Sequence, residues 1–100
     1  MALAAGDGAG AASALDRAWE LDPQVSVRPE AFGALLYHFG TRRLSFLKDR
    51  RLVTVLGALG STATARAACA GAGVAEHDLP AFEAALARLA RTSMLRERTP

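Results

Sequence analysis

The chain has 100 residues, of which 51% are apolar, and its 12 Lys and Arg exceed its 10 Asp and Glu by two charges. A chain of this length forms one domain with a modest core, which argues against an enzyme with a deep cleft. A single cysteine, Cys69, excludes an intramolecular disulfide and fits a reducing, cytoplasmic location.

The N-terminal stretch, residues 1–14, is rich in Ala and Gly. We expect it to be disordered, because it offers too little apolar surface to offset the entropy of ordering. It lacks the basic start of a secretory signal and the length of a bilayer span, so we expect no membrane partner. From Leu15 to Asp22 the spacing fits either one helical turn or an extended arm, with Trp19 as an anchor on the core.

Three strands are predicted between residues 24 and 51. Val25 and Val27 alternate with polar residues, which predicts a short strand that stops before Pro29. The runs GALLYHF and RRLSFLK predict a hairpin whose two turn residues are Gly40 and Thr41, with Gly40 at positive φ.

The hairpin register predicts which side chains share a face of the sheet. It places Phe39 opposite Arg42, Tyr37 opposite Leu44, and Leu35 opposite Phe46. Successive strand residues point to opposite sides. We expect one face to form the core, with Leu35, Tyr37, Leu44 and Phe46. The other face is expected to be half exposed and contains Leu36, His38, Arg43, Ser45 and Leu47.

Three helices are predicted after the strands. Asp49 is the expected N-cap of the first helix, which ends near Gly60 and repeats apolar residues at helical spacing: Leu52, Val55, Leu56 and Leu59. The second, alanine-rich helix is expected from Ser61 or Thr62 to Ala70.

The third helix is predicted to begin at Asp78-Leu79-Pro80 and to run to about Met94. Its apolar face contains Phe82, Ala85, Leu86 and Leu89. The elements together indicate an α+β fold, a winged-helix-like arrangement in which a three-stranded antiparallel meander is followed by three helices. We assign residues 15–96 to this domain and expect the tail, 97–100, to fray.

The residue types needed for catalysis are scarce. His38, His77 and Cys69 have no catalytic or metal-binding motif around them. We expect His38 to be structural or on the surface, and Cys69 to be a small buried residue. The sequence therefore predicts a protein that is not an enzyme and holds no metal or other cofactor.

Positive charge is concentrated around the predicted hairpin. Six Lys and Arg lie between Arg28 and Arg51, against Glu30 and Asp49, which gives a local balance of +4. Such a field favours an acidic peptide or nucleic acid, or it serves only to keep the surface solvated.

The last predicted strand, Arg42 to Lys48, has one side without a neighbour. Its free N–H and C=O groups can accept an added peptide strand, and half a dozen backbone bonds with one or two side-chain pockets can reach about micromolar affinity. The apolar face of the third helix is expected to wall the groove beside this strand. The predicted peptide site contains Arg42, Arg43, Leu44, Ser45, Phe46, Leu47, Lys48, Phe82, Ala85, Leu86 and Leu89.

The segment PQVSVRPEAFGALLYHFGTRRLSFLKDRRLV, Pro23 to Val53, resembles the peptide chaperones of mycofactocin biosynthesis, which are PqqD-like RiPP recognition elements. The resemblance implies a winged-helix-like domain without catalytic activity. It also implies that the domain captures the leader of a ribosomally made precursor peptide as an extra strand and presents it to a radical SAM maturase. The site residues it indicates are Arg43, Leu44, Ser45, Phe46 and Leu47 on the strand, and Phe82, Ala85, Leu86 and Leu89 on the helix.

A winged-helix DNA-binding protein is the alternative. A helix that reads the major groove needs several Arg, Lys, Asn or Gln side chains. The predicted second helix has only Arg66, and the third has Arg88 and Arg91 with few other base-reading residues. The sequence therefore favours a peptide partner over nucleic acid, and it leaves the oligomeric state open.

Overall fold

The computed structural model describes residues 13–98, and most of the predicted N-terminal stretch, residues 1–12, lies outside that range. Five strands and three helices follow one another in the order β1 (Trp19–Leu21), β2 (Val25–Glu30), β3 (Gly33–His38), β4 (Leu44–Leu47), α1 (Arg50–Ala58), α2 (Ala65–Gly71), α3 (Leu79–Arg91) and β5 (Leu95–Glu97). Strands β2, β3 and β4 form an antiparallel sheet in that order. The predicted α+β fold, with its three-stranded antiparallel meander, is confirmed.

A second, two-stranded sheet joins the two ends of the described chain. Strand β1 pairs with β5 through Trp19 opposite Glu97 and Leu21 opposite Leu95. Trp19 is buried, as predicted, and its Nε1 donates a hydrogen bond to the carbonyl of Ala14 at 2.8 Å. Glu97, the first residue of the tail that we expected to fray, lies in β5 opposite Trp19, two residues after the buried Leu95.

The hairpin register is confirmed, but its turn is wider than predicted. Leu35 lies opposite Phe46 and Tyr37 opposite Leu44. The connection, residues 39–43, has five residues instead of two, and Arg42, not Gly40, takes the positive φ, at 64°. The amide of Arg42 donates to the carbonyl of His38 at 2.7 Å, which closes the wider turn.

The face of the sheet that we expected to form the core is the exposed one, and the opposite face is buried. Leu44 and Phe46, expected in the core, are 54% and 57% exposed, and Leu35 and Tyr37 are only half-buried. The core lies on the other face, where the buried side chains are Ala34, Leu36, His38 and Leu47. Strand β2 also continues through Pro29 to Glu30, because an edge strand tolerates the missing N–H of proline.

Helix α1 covers the core face of the sheet, and its boundaries follow the predicted signals. Asp49 caps it by accepting a hydrogen bond from the amide of Arg51 at 2.8 Å. The predicted apolar stripe is buried, with Leu52, Val55 and Leu56 in α1 and Leu59 directly after it. Contacts between α1 and strands β3 and β4 explain why small Ala34 and branched Leu36 face inward.

The other two helices are shorter than predicted at one end each. Helix α2 begins at Ala65 instead of directly after Ser61 or Thr62, because Thr64 caps it with a hydrogen bond from the amide of Ala67. Helix α3 starts at Leu79 as predicted but ends at Arg91. Ser93 then takes a positive φ of 66°, which turns the chain so that Met94 enters the core.

The buried side chain of His38 caps the β3–β4 turn by hydrogen bonding to its backbone. Its ring is 4% exposed, and Nδ1 accepts hydrogen bonds from the amides of Gly40 and Thr41, each at 3.0 Å. Because Nδ1 is an acceptor, the ring proton is on Nε2, which lies 3.6 Å from a carboxylate oxygen of Asp22. The histidine is therefore a structural turn cap.

Replacing His38 tests this cap. We expect His38→Ala to lower the free energy of unfolding by about 1–3 kcal/mol, because two turn amides lose their acceptor and a cavity forms. His38→Asn is the matched variant, since an asparagine oxygen accepts from the amide two residues on and keeps part of the cap. Urea denaturation measures both; equal losses would contradict the cap as the cause.

Candidate functional site

The outer edge of β4 has unpaired backbone groups. The amide of His38 donates to the carbonyl of Arg43 at 3.0 Å, so residues 43, 45 and 47 direct their backbone groups toward β3. On the other side of β3, the amide of Phe39 donates to the carbonyl of Gln24 at 2.9 Å, which fixes the same alternation independently. The backbone groups of Leu44 and Phe46 therefore point outward. Within residues 13–98, β4 pairs with no strand except β3.

Three cations flank this edge. Arg42, Arg43 and Lys48 are all exposed, and none of them forms a salt bridge with another residue of the described range. Other surface arginines are engaged, as in the Arg28–Glu30 and Arg66–Asp16 pairs. The edge strand therefore carries positive charge that the described part of the protein does not neutralise.

A cleft of about 280 Å³ begins two residues beyond the end of β4. The start of α1 forms one wall and the exposed side of α3 forms the other. Its lining is largely apolar with a charged rim and comprises Asp49, Leu52, Ala81, Phe82, Ala85 and Arg88. The size and lining suit one or two apolar side chains of a bound peptide.

The helical residues predicted for the site divide into two groups. Phe82 and Ala85 line the cleft, so their side chains face the space beside the end of β4. Leu86 and Leu89, at 0% and 1% exposure, belong to the core and have no surface to offer a ligand. The prediction placed all four on one apolar face; the structure shows that this face is divided between core and cleft.

The strand residues predicted for the site also fall into two groups, one on each face of the sheet. Leu47 is 1% exposed and packs in the core, and Ser45 is half-buried beside it. Leu44 and Phe46 are exposed on the opposite face of the sheet, where the ring of Phe46 lies 6.1 Å from that of Phe32. A ligand on this edge would therefore meet side chains of both faces, with the backbone of β4 between them.

The sequence analysis missed four cleft residues: Asp49, Leu52, Ala81 and Arg88. A usable signal was present on α3, where Ala81, Ala85 and Arg88 recur at i, i+4 and i+7 and so share a stripe. Small residues beside a cation at this spacing leave room on a helix surface for a ligand. Leu52 was recognised only as a core residue, because the pattern of α1 does not reveal that this buried residue also borders a cleft.

Arg51 bridges the two walls of the cleft. Its guanidinium bonds Asp49 at the start of α1 and Asp78 beside the start of α3, each at 3.0 Å, and lies 5.2 Å from the ring centre of Phe82. The hydrogen bond from Arg51 lowers the pKa of the Asp49 carboxyl, and the two carboxylates raise the pKa of Arg51. These hydrogen bonds therefore favour the charged forms of both Asp49 and Arg51.

The remaining reactive side chains do not gather into a site. Cys69 is fully buried, and desolvation raises the pKa of its thiol, which disfavours the nucleophilic thiolate. His77 is exposed beside Asp78. Among residues 13–98, no group of three or more His, Cys, Asp or Glu side chains could hold a metal ion. None of the described helices is long and apolar enough to cross a membrane.

Comparisons with known proteins agree on one family. The chain matches the family model "Peptide chaperone MftB family" over residues 18–96, from β1 to β5. It is 55% identical over 80 residues to Peptide chaperone MftB of Mycobacterium tuberculosis (strain ATCC 25618 / H37Rv), a match that covers 80% of this chain and 73% of that protein. Proteins of the same name from Mycobacterium ulcerans (strain Agy99) and Mycolicibacterium smegmatis (strain ATCC 700084 / mc(2)155) are each 51% identical over 80 residues, covering 80% of this chain and 73% and 78% of their own lengths. No solved structure matches the chain.

Proposed function

Since the chain belongs to the MftB peptide chaperone family, we propose that it is a peptide-binding adaptor in mycofactocin biosynthesis. It binds the leader of a ribosomally made precursor peptide by strand addition at β4 and presents that peptide to a radical SAM maturase. The single observation that carries the binding mode is the open edge of β4, with the outward backbone groups of Leu44 and Phe46. The adaptor itself has no catalytic role in this proposal.

Strand addition uses both sides of the extended leader. The N–H and C=O groups of Leu44 and Phe46 offer four hydrogen bonds to the guest backbone. Guest side chains then alternate between the two faces of the enlarged sheet. Those on the inner face lie on the side of the sheet that α1 covers, and the cleft between the start of α1 and α3, lined by Phe82 and Ala85, can accept them. The β4 backbone sets the register, and the cleft selects the side chains.

The cleft and the edge of β4 are expected to contribute similar amounts to the free energy of leader binding. Four backbone bonds at about 1 kcal/mol each stabilise the complex by about 4 kcal/mol, which alone corresponds to about millimolar affinity. Burying one apolar side chain adds about 1.5–3 kcal/mol. Two filled positions are therefore needed to approach micromolar binding, and a leader without apolar residues at the right spacing would bind too weakly.

The charge of the edge favours an acidic leader. Arg42, Arg43 and Lys48 are exposed around β4 and have no internal salt bridge within the described range. Acidic guest residues would increase the association rate through this field, and the effect would weaken as salt screens it. We therefore propose a leader in which acidic residues flank a short apolar core.

Calorimetric titration of the full chain with its precursor peptide tests the proposal. We expect saturable one-to-one binding with a negative heat-capacity change from apolar burial. A duplex DNA of similar charge serves as the control for nonspecific electrostatic attraction. The proposed function would be contradicted if the folded protein did not bind the peptide. It would also be contradicted if the protein bound DNA and peptide with equal affinity and a steep salt dependence.

A further inference from the structure

On the outer side of the three-stranded sheet, β3 and β4 present an apolar surface that nothing in the described chain covers, while β2 contributes the polar residues Ser26 and Arg28 there. It contains the side chains that the ladder places opposite one another on this side, Leu35 with Phe46 and Tyr37 with Leu44, extended by Phe32 and Phe39. Phe32 and Phe39 are 43% and 61% exposed. We call these six residues the outer face.

The outer face is large for a monomer surface. With aromatic side chains of about 200 Å² and the exposures above, it presents about 500 Å² of contiguous apolar area, near the upper end of what soluble monomers expose. Aromatic residues at the centre of such a patch are typical of protein interfaces. Burying them in a complex would remove a surface that water solvates poorly.

A second copy of this chain is a poor candidate for the protein that covers the outer face. Two such faces packed together would bury about 1,000 Å² in total, less than the roughly 1,200–2,000 Å² of stable interfaces. The rim also carries Arg42 and Lys48, which are exposed and have no internal salt bridge within residues 13–98. A symmetric pair would bring these like charges together, so the charge of the rim favours a different protein with an apolar centre and an acidic rim.

The outer face and the peptide edge are continuous. Leu44 and Phe46 contribute their side chains to the outer face and their outward backbone groups to the edge of β4. A leader strand added there would place every second side chain beside those of Leu44 and Phe46, because directly opposed residues share a face. Peptide binding therefore enlarges the outer face by one strand.

We propose that the radical SAM maturase docks on the outer face. There it contacts a composite surface, formed partly by this protein and partly by the bound leader. The inference rests on the proposed function and extends it to the enzyme contact. By linkage, the leader and the maturase change each other's affinity for this protein by the same factor, and the added contact between them makes that change favourable. The maturase would then select the peptide-loaded adaptor from the empty one.

The test measures maturase binding to the full chain, with and without saturating precursor peptide. We expect the loaded protein to bind at least tenfold more tightly. The double variant Phe32→Glu/Phe39→Glu should bind the peptide within about twofold of the wild type but bind the maturase at least tenfold more weakly. Val27→Glu is the matched control: Val27 is 41% exposed on the same sheet but lies opposite Leu36, on the other face.

The outcomes separate this inference from the proposed function. Unchanged maturase binding by the double variant, or equal binding by empty and loaded protein, would overturn the composite surface while leaving peptide capture intact. Failure of the wild type to bind the peptide would overturn both. Concentration-dependent dimerisation that the double variant abolishes would assign the outer face to a second copy. Nuclear Overhauser contacts from residues 1–12 to Phe39 in the isolated protein would assign it to the chain's own N-terminus.

Discussion

Leu44→Pro is expected to weaken leader binding about 30-fold while the protein stays folded. The outward N–H of Leu44 is one of the four groups offered to the guest, and proline replaces it with a ring carbon that blocks the approaching strand. The guest carbonyl then loses its donor inside the complex, which costs about 2 kcal/mol. An edge strand tolerates the substitution, as Pro29 in β2 already shows.

Leu44→Ala is the matched control for this variant. It removes most of the same side chain but keeps the N–H, so we expect an affinity within about threefold of the wild type. Calorimetry gives the two dissociation constants, and urea denaturation shows whether each variant is folded. If the proline and alanine variants bind the leader equally well, the guest does not add as a strand to this edge.

Gly33→Ala is expected to lower the free energy of unfolding by about 3 kcal/mol and the melting temperature by about 15 °C. Gly33 begins β3 with a φ of 151°, and a methyl group there would lie 2.0 Å from the carbonyl oxygen of Leu47. The obstacle is backbone, so a rotamer change cannot relieve it. The end of β4 must move away from β3, which should also weaken leader binding.

Gly57→Ala, the same substitution at another glycine, is expected to raise the free energy of unfolding instead of lowering it. Gly57 lies within α1, and nothing is within 4 Å of an added methyl group. Alanine there should stabilise the protein by about 0.5–1 kcal/mol through its higher helix propensity. Thermal denaturation of both variants checks the pair; similar behaviour of the two would mean that the close approach at Gly33 does not constrain the sheet.

Local signals in the sequence were sufficient for the three-stranded sheet, the three helices and the hairpin register. Alternating apolar residues indicated the strands, and Asp49 before an apolar stripe indicated the start of α1, because capping and periodicity depend on neighbours in the chain. The open edge of β4 followed from the order of the strands. The boundaries of α2 were less accurate, since several Ser and Thr residues compete as caps before its alanines.

The sequence by itself determined the three-strand meander, the helices after it and the basic edge strand, because each depends on short-range periodicity, capping or charge. The tertiary structure decided which face of the sheet is buried. Both faces carry large apolar residues, so alternation cannot distinguish them, and the choice came from α1 packing against β3 and β4, where Ala34 and Leu36 are buried. It also decided that β5 pairs with β1 and that a cleft remains beside Phe82, because both depend on contacts between residues far apart in the chain.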